Sequence, residues 1–579
     1  MNVLGTTGPA LHDASAALFV DGELVAAAEE ERFIRIKHAK RRQPVNAIRF
    51  CLAQAGIQPR DVDVVAYPYV DIGLASPARW YYARRHWYEP ARALRAIFDG
   101  NRKGHRKCDS VLQLLNELGI GSQRVRFIRV EHHLAHASSA YHLSGFKGRT
   151  AIVSLDGKGE YATSFFGYGE NGRIHRIKEF YDPDSLGWFY GALTEYLGFE
   201  IQDGEYKVMG MAPYGDAAKY DLSRLICRDG GSFKVNTRLI NVIGRRCYRA
   251  NGKEYSVSPE FVRWLGPARN GDDIDEPYVH YAAAAQRLLE DTALALIDHY
   301  VGDIIRETGR LCFAGGVALN VKLNQRLLAW PHLKELFVQP AAGDAGTSLG
   351  AASYAATGLG DAVRKMEHVY LGPSFSTDEC IAACRQHPQQ PAWTRLDDAP
   401  ARAAQILADG QPLAWFQGRM EFGPRALGNR SILGDPARVG MADRINAEIK
   451  YRERWRPFCP SVLDTVARDL VQSDHPAQYM TIAFDVAERW KTRIPEVVHK
   501  DGSARVQVVS EASNPRFYRL ISELERHTGN AVVLNTSMNR RGEPIVCTPA
   551  DALDMFYGSD LQCLIMEDIL ITKDGAPAT

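Results

Sequence analysis

Charge of one sign is what this sequence lacks most plainly: 70 Lys and Arg stand against 69 Asp and Glu over 579 residues, a net charge of +1 with histidine neutral. That balance excludes a protein whose partner is gripped mainly by bulk charge, such as a histone-like or polybasic membrane protein, so any anion site has to be local. Long apolar runs are missing too, and none approaches the roughly 18 residues of a membrane-spanning helix. The start, Met1-Asn-Val-Leu-Gly5, is not a basic stretch followed by an apolar core, as a secretory signal requires. Cysteine is sparse, at 10 residues, and scattered singly apart from Cys380 and Cys384. Their i,i+4 spacing on a helical pattern suits two buried small hydrophobes better than a metal or redox pair. These absences describe a reduced, cytosolic chain, and at roughly 100–200 residues per domain its length leaves room for two to four domains with full cores.

What is present is an α/β pattern. Ala16–Val20 and Glu23–Ala28 are apolar runs joined by Asp21-Gly22, a hairpin signature because both central residues of such a turn need positive φ. Near residue 150 the unit recurs: Thr150–Leu155 runs into Asp156-Gly157, Tyr161–Tyr168 reads as a strand, and Glu170-Asn171-Gly172 turns into a third. Two such units, each followed by helical stretches, point to a duplicated α/β core that binds its ligand between the halves. An amphipathic helix over 278–308 leads to the strand Arg310–Ala314 and the turn Gly315-Gly316; Leu336–Val338 leads through Ala341–Gly346 to a helix from Thr347. Turns of this kind suit phosphate contacts through free N–H groups, and equally suit ordinary connections. Composition shifts near 356–377, where a domain boundary is expected. The stretch Ser76–Lys107 interleaves Arg and Lys with Trp and Tyr. Such a mixture can stack on nucleic acid, but a solvated helical insertion over the active site accords better with the neutral balance.

Several residues could carry chemistry. His132 and His136 lie one turn apart on one helical face, where two imidazoles can close on one ion; without the glutamate of the metalloprotease pattern they read equally as capping or core histidines. Asp156 ends an apolar strand and Asp344 stands at a helix entry, and a buried carboxylate needs a partner. Two His with two Asp make a nitrogen–oxygen set suited to iron, manganese or zinc. His12, in the loop before the first hairpin strand, is a catalytic candidate or a plain loop residue, and Lys207 offers a cation near the turn at Gly210. In the last third, Arg419, Arg425 and Arg430 cluster with Gly, Asn and Ser, and Lys450, Arg452, Arg454, Arg456, Arg505 and Leu534-Asn-Thr-Ser537 follow. Guanidinium groups in such company suggest a pocket for phosphate or carboxylate oxygens, against surface salt bridging as the alternative.

Taken jointly, His12-Asp13-Ala-Ser-Ala-Ala with Glu29-Glu-Glu-Arg-Phe33, His132-His-Leu-Ala-His136, Gly315-Gly-Val-Ala-Leu-Asn320, Gly423-Pro-Arg-Ala-Leu-Gly428, Trp455-Arg-Pro-Phe458, Leu534–Ser537 and Arg541-Gly-Glu-Pro544 resemble the NodU/CmcH carbamoyltransferase family over nearly the whole chain. The resemblance implies a duplicated actin/sugar-kinase-like (ribonuclease H-like) domain over 1–355, performing metal-dependent carbamoyl transfer, and a YrdC-like α/β domain over 370–579. The latter would form carbamoyladenylate from ATP and carbamoyl phosphate, with Mg2+ accompanying the ATP. It implies a metal, iron, on His132, His136, Asp156 and Asp344, with His12 taking the proton of the acceptor hydroxyl. Lys207, Gly210, Gly316 and Asn320 would line the adenosine and phosphate cleft of the first domain. Arg425, Lys450, Arg456, Arg505, Asn535 and Ser537 would hold carbamoyl phosphate and the ATP phosphates, Lys450 and Arg456 acting in catalysis. Ala10 stands where an antibiotic-modifying member leads one to expect an acidic residue. The acceptor expected is a small natural product, antibiotic or toxin, with a saccharide signal or a tRNA-modifying role as alternatives; the neutral balance weighs against nucleic acid. No membrane partner is expected, a homodimer suits a chain of this size, and the acceptor pocket should be built by 66–110 and 215–275.

Overall fold

The computed structural model describes residues 1–9, 12–99, 102–121, 125–241, 248–250, 252–271 and 273–573, excepting the side chains of 99 and 102–106. Ala10 and its neighbour Leu11 therefore lie outside the described residues. The chain forms two compact units, one of Met1–Val25 with Arg41–Met366 and one of Ala26–Lys40 with Glu367–Thr579.

The first unit is built on two five-stranded sheets. In chain order, the first takes Asn2–Thr7, Ser15–Val20, Glu23–Glu29, Val64–Tyr67 and Arg126–Arg129, laid side by side as 3-2-1-4-5. The second takes Thr150–Leu155, Ala162–Glu170, Arg173–Tyr181, Arg310–Ala314 and Glu335–Val338, again as 3-2-1-4-5. In both, strands 1 and 2 are antiparallel and strands 1 and 4 parallel. This is the ribonuclease H-like arrangement used twice, the duplicated α/β core that the paired hairpins foretold. Both hairpin turns take the expected backbone: Asp21 and Gly22 have φ 49° and 79°, Asn171 and Gly172 50° and 76°. The helix His132–Ser144 lays Ala137, Ala140 and Tyr141 on Ile152, Phe165, Cys312 and Ala314 of the second sheet. A second helix, Thr347–Gly358, packs against it and against the first strand.

The insertion after the first sheet's fourth strand is helical, with segments Pro77–Arg85, Pro90–Asp99 and Arg102–Glu117. It is less solvated than its composition suggests. Arg79 is buried and donates to the Ile97 carbonyl at 2.9 Å, and Arg85 reaches the buried Asp184 at 2.8 Å. Arg102, Lys103 and Arg106 of the basic stretch have side chains outside the described set.

The second unit surrounds one mixed eight-stranded sheet, ordered Trp393–Arg395, Ile569–Thr572, Cys563–Met566, Leu413–Phe416, Arg430–Gly434, Val532–Ser537, Cys459–Leu463 and Gln507–Val509. It is the α/β domain, YrdC-like by the resemblance, expected in the last third. Trp415, Leu433 and Val533 of this sheet pack with Phe517, Leu520 and Leu524 of the helix Pro515–Thr528. Residues 26–40 group with this unit, although Ala26–Glu29 are also the end of the strand Glu23–Glu29 of the first sheet. Phe33 packs on Met420, Ala426, Ile545 and Cys547; Arg32 donates to the Gly423 carbonyl at 2.8 Å, and Arg35 to those of Ile545 and Pro544. Cys380 and Cys384 are buried on one helix, their thiols pushed up by burial, to about 12 and about 11. They are small hydrophobes. Among the described residues no helix is long and apolar enough to cross a membrane.

Candidate active site

The site of the first unit forms where the parallel strands of the second sheet end. Asp156 directly follows Leu155, and Asp344 opens the turn into the helix Thr347–Gly358. His132 and His136 come from the helix that covers this sheet, and its 3.6-residue period stacks both rings on one face. One donor atom from each of His132, His136, Asp156 and Asp344 lies within 4.8 Å of the others. His132 Nε2 stands 3.1 Å from His136 Nε2, 3.4 Å from Asp344 Oδ1 and 3.7 Å from Asp156 Oδ2; His136 Nε2 is 3.7 Å from Asp344 Oδ1. All four residues are buried, the two histidines completely.

The donor set suits a cation. Two carboxylates are buried beside imidazoles: Asp344 has His12, His132 and His136 as its ion-pair neighbours. Burial would raise both carboxyls, yet the imidazoles, His132 above all, hold Asp344 and Asp156 below the ordinary carboxylate range. Burial alone would lower His132, but Asp344 and then Asp156 outweigh it and hold its imidazolium up to about 10. A pocket that forces a proton onto a buried imidazole is one that calls for positive charge, and two nitrogens with two carboxylate oxygens are the ligand chemistry of a divalent transition metal.

His12 comes from the corresponding loop of the first repeat, between Thr7 and Ser15, so both halves of the duplicated core supply the site. Its Nδ1 is 2.8 Å from Asp13 Oδ2 and its Nε2 3.8 Å from Asp344 Oδ2. Ser15 fastens this loop, donating to the Ala345 carbonyl at 2.8 Å. Gly316 joins through its N–H, which Asp156 Oδ1 accepts at 2.7 Å. Asn320 is differently engaged. It caps the helix Val321–Leu328 and exchanges two hydrogen bonds with Gln286, of 2.9 and 3.0 Å. Lys207 and Gly210 sit on the helix Glu205–Met211, with Lys207 Nζ 5.3 Å from the centre of the Phe199 ring. Residues not singled out in the sequence also border the quartet: Tyr69, whose ring centre is 5.0 Å from that of His132, and Glu160, which accepts the His132 backbone N–H at 3.2 Å. Their one signal is a Glu in the Gly-containing loop that starts at Asp156.

In the second unit, Lys450 is buried at the end of an irregular helical turn, donating to the Ser537 and Asn539 carbonyls, both at 2.8 Å, and to Asn539 Oδ1 at 2.6 Å. Burial first, then Arg452, Arg456 and Lys37, push its ammonium well below the ordinary lysine range. Glu543 acts in the opposite sense. Arg505 donates from Nε to Cys459 Sγ at 3.1 Å, and Cys459 pairs in register with Asn535 across the sheet. Asn535 donates to Ser461 Oγ at 3.0 Å and to the Ala426 carbonyl, beside half-buried Arg425, at 3.3 Å. The strand Cys459–Leu463 thus gathers Arg505 and Asn535, while the 537–539 turn gathers Lys450 and Ser537. Arg419 and Arg430 of the same arginine-rich run are otherwise occupied. Arg430 is fully buried over the Phe416 ring with four carbonyl acceptors, and Arg419 donates to the Leu371 and Gly372 carbonyls.

Family models for the carbamoyltransferase N-terminus and C-terminus match residues 2–353 and 404–573. The chain belongs to the carbamoyltransferase family. It is 36% identical to nodulation protein NolNO of Sinorhizobium fredii over 99% of this chain and 80% of that protein. It is also 36% identical to the uncharacterized protein sll1178 of Synechocystis over 98% of this chain and 96% of that protein, and 28% identical to nodulation protein U of Rhizobium tropici over 97% and 95%. Carbamoyl transfer is accordingly the reaction of this enzyme, and a carbamoyltransferase needs two things from its residues: a place to hold an activated carbamoyl group and a base for the acceptor.

Proposed function

We propose that this carbamoyltransferase is ATP-dependent and carbamoylates a hydroxyl of a small natural product. In the second unit water would cleave carbamoyl phosphate to carbamate and phosphate, and the carbamate oxygen would attack the α-phosphorus of ATP, giving carbamoyladenylate and pyrophosphate. The first unit would transfer the carbamoyl group to the hydroxyl, releasing AMP. The observation that carries the reading is the convergence of His132, His136, Asp156 and Asp344 beside His12. Those four residues would hold a divalent metal, iron by the family resemblance, which when bound supplies Lewis acidity toward phosphate oxygens. His12 would act as the general base, its ring steadied by Asp13 Oδ2 2.8 Å from Nδ1, taking the hydroxyl proton as oxygen attacks the carbamoyl carbon. The Gly316 N–H and the carboxylate of Asp156 fix each other and keep that edge of the site rigid.

In the second unit, Arg425, Arg456 and Arg505 would neutralise and orient phosphates, while Lys450 holds the 537–539 turn and adds its field. The test is to incubate the protein with ATP and carbamoyl phosphate, with and without a panel of aminoglycoside, macrolactam, cephem and oligosaccharide acceptors, and to follow pyrophosphate and AMP. Pyrophosphate is expected under all conditions and AMP only with an accepted substrate. The absence of pyrophosphate throughout would sink the adenylate mechanism.

A further inference from the structure

Metal-binding histidines are ordinarily aimed by a hydrogen bond from the ring nitrogen that does not face the metal. Here Nδ1 of His132 and Nδ1 of His136 are buried without a hydrogen-bond partner among the described residues. The aim of His132 therefore has to come from its backbone and from what packs on its ring. His132 is the first residue of its helix, and Glu131 before it gives no side-chain cap; the Glu131 carboxylate is paired instead with Arg176.

Glu160 takes over that task from another loop. Its Oε1 accepts the His132 N–H at 3.2 Å and the Val70 N–H at 2.9 Å, and its Oε2 lies 3.4 Å from the same His132 nitrogen. Val70 adjoins Tyr69, whose ring lies against the His132 imidazole. One carboxylate thus ties together the backbone that carries the imidazole and the segment that braces its face. The loop is shaped for the approach: a Cβ at Gly159 would stand 2.8 Å from the His132 Cβ, so only glycine lets Glu160 come so close. A carboxylate at a helix N-terminus is also favoured by the helix dipole. Glu160 is not one of the four converging ligands.

We propose that Glu160 is the positioning residue of the metal centre, setting affinity through the reach of its oxygen and not through its charge. This rests on reading the quartet as a metal site. The test titrates the full-length chain, stripped of metal by chelator, with Co2+ alone against a chromophoric competitor, recording the visible absorption of the bound ion. Glu160→Gln keeps an oxygen at the same reach and should bind within about threefold of the parent, with the same spectrum. Glu160→Asp keeps the charge but withdraws the oxygens by one methylene, and Glu160→Ala removes them; both should bind about 10–100-fold more weakly, as when an outer-shell partner is lost. If Glu160→Ala does not fold, the ordering of Gln over Asp decides alone. Parent-like binding by Asp and Ala, or an Asp variant tighter than Gln, would overturn the proposal. Failure of the parent chain to bind Co2+ in a way that His136→Ala abolishes would instead remove the metal reading on which it stands.

Discussion

Glu179 ends in a partly closed space with Arg176 Nε at 3.3 Å, Tyr181 OH at 3.5 Å, and the like charges of Glu131 and Glu160 nearby. Burial first, with the two glutamates, outweighs Arg176 and pushes its carboxyl up to about 7. The folded protein then binds this proton more tightly than the unfolded chain does. Its favourable contribution is complete below the unfolded value of 4.5 and lost as pH rises through about 7. Glu179→Gln should therefore leave stability unchanged near pH 4 and raise it by up to about 2–3 kcal/mol at pH 8, since Arg176 retains Glu131. Urea unfolding at the two pH values checks this, and an equal effect at both would refute it. At this same scale the sequence singled out His132, His136, Asp156 and Asp344, which the fold brings together, because two histidines one turn apart and carboxylates at a strand end and a helix entry are conspicuous; His12, a loop residue, stood out only through the family resemblance. The sequence did not show Glu160 or Tyr69, whose parts are backbone contacts and ring packing that no local pattern encodes. Nor did it show that Asn320 is a cap bonded to Gln286, 34 residues earlier in the chain.

Elements were more legible than residues. The helix Tyr278–Thr308 and the strand Arg310–Ala314 fall where periodicity and the following glycines put them, and the helix from Thr347 begins at the expected residue. Local patterns decide such elements because their apolar faces and stops lie within a dozen residues. The segment 26–40 was not legible in this way, since Phe33, Arg32 and Arg35 find their partners some 390 to 510 positions later. The packing of Thr347–Gly358 on the helix His132–Ser144 depends on Gly350, where a Cβ would stand 1.7 Å from the Ala135 carbonyl oxygen. Ala135 lies between His132 and His136, so pushing the helices apart moves both imidazoles relative to Asp344. Gly350→Ala should cost about 1–3 kcal/mol of stability, as overpacking does. It should also weaken Co2+ binding, whereas an alanine at the exposed Gly358, with nothing near its Cβ, should do neither. Thermal melting with parallel metal titration separates the two.

On the scale of the whole molecule, the neutral balance conceals two sites that meet charge in different ways. In the first unit the carboxylates outnumber the fixed cations at the quartet, which leaves room for a metal. In the second, the proposed phosphates would meet Lys450, Arg452 and Arg456, among which Glu453 already pairs with Arg456 at 3.6 Å. If each unit performs one half-reaction, damage to one should spare the other. His136→Ala should release pyrophosphate at the parent rate yet fail to modify any acceptor, because it removes a ligand on the transfer side only. Arg456→Ala should lose about 10²–10³-fold in pyrophosphate release, the usual effect of removing one donor that meets developing charge. Supplied with carbamoyladenylate, it should still transfer. Each variant is therefore assayed for pyrophosphate from ATP and carbamoyl phosphate and for AMP from added carbamoyladenylate plus acceptor. Loss of the same half-reaction in both would mean that the two charged sites serve one chemical step, and the assignment of one step to each unit would fall.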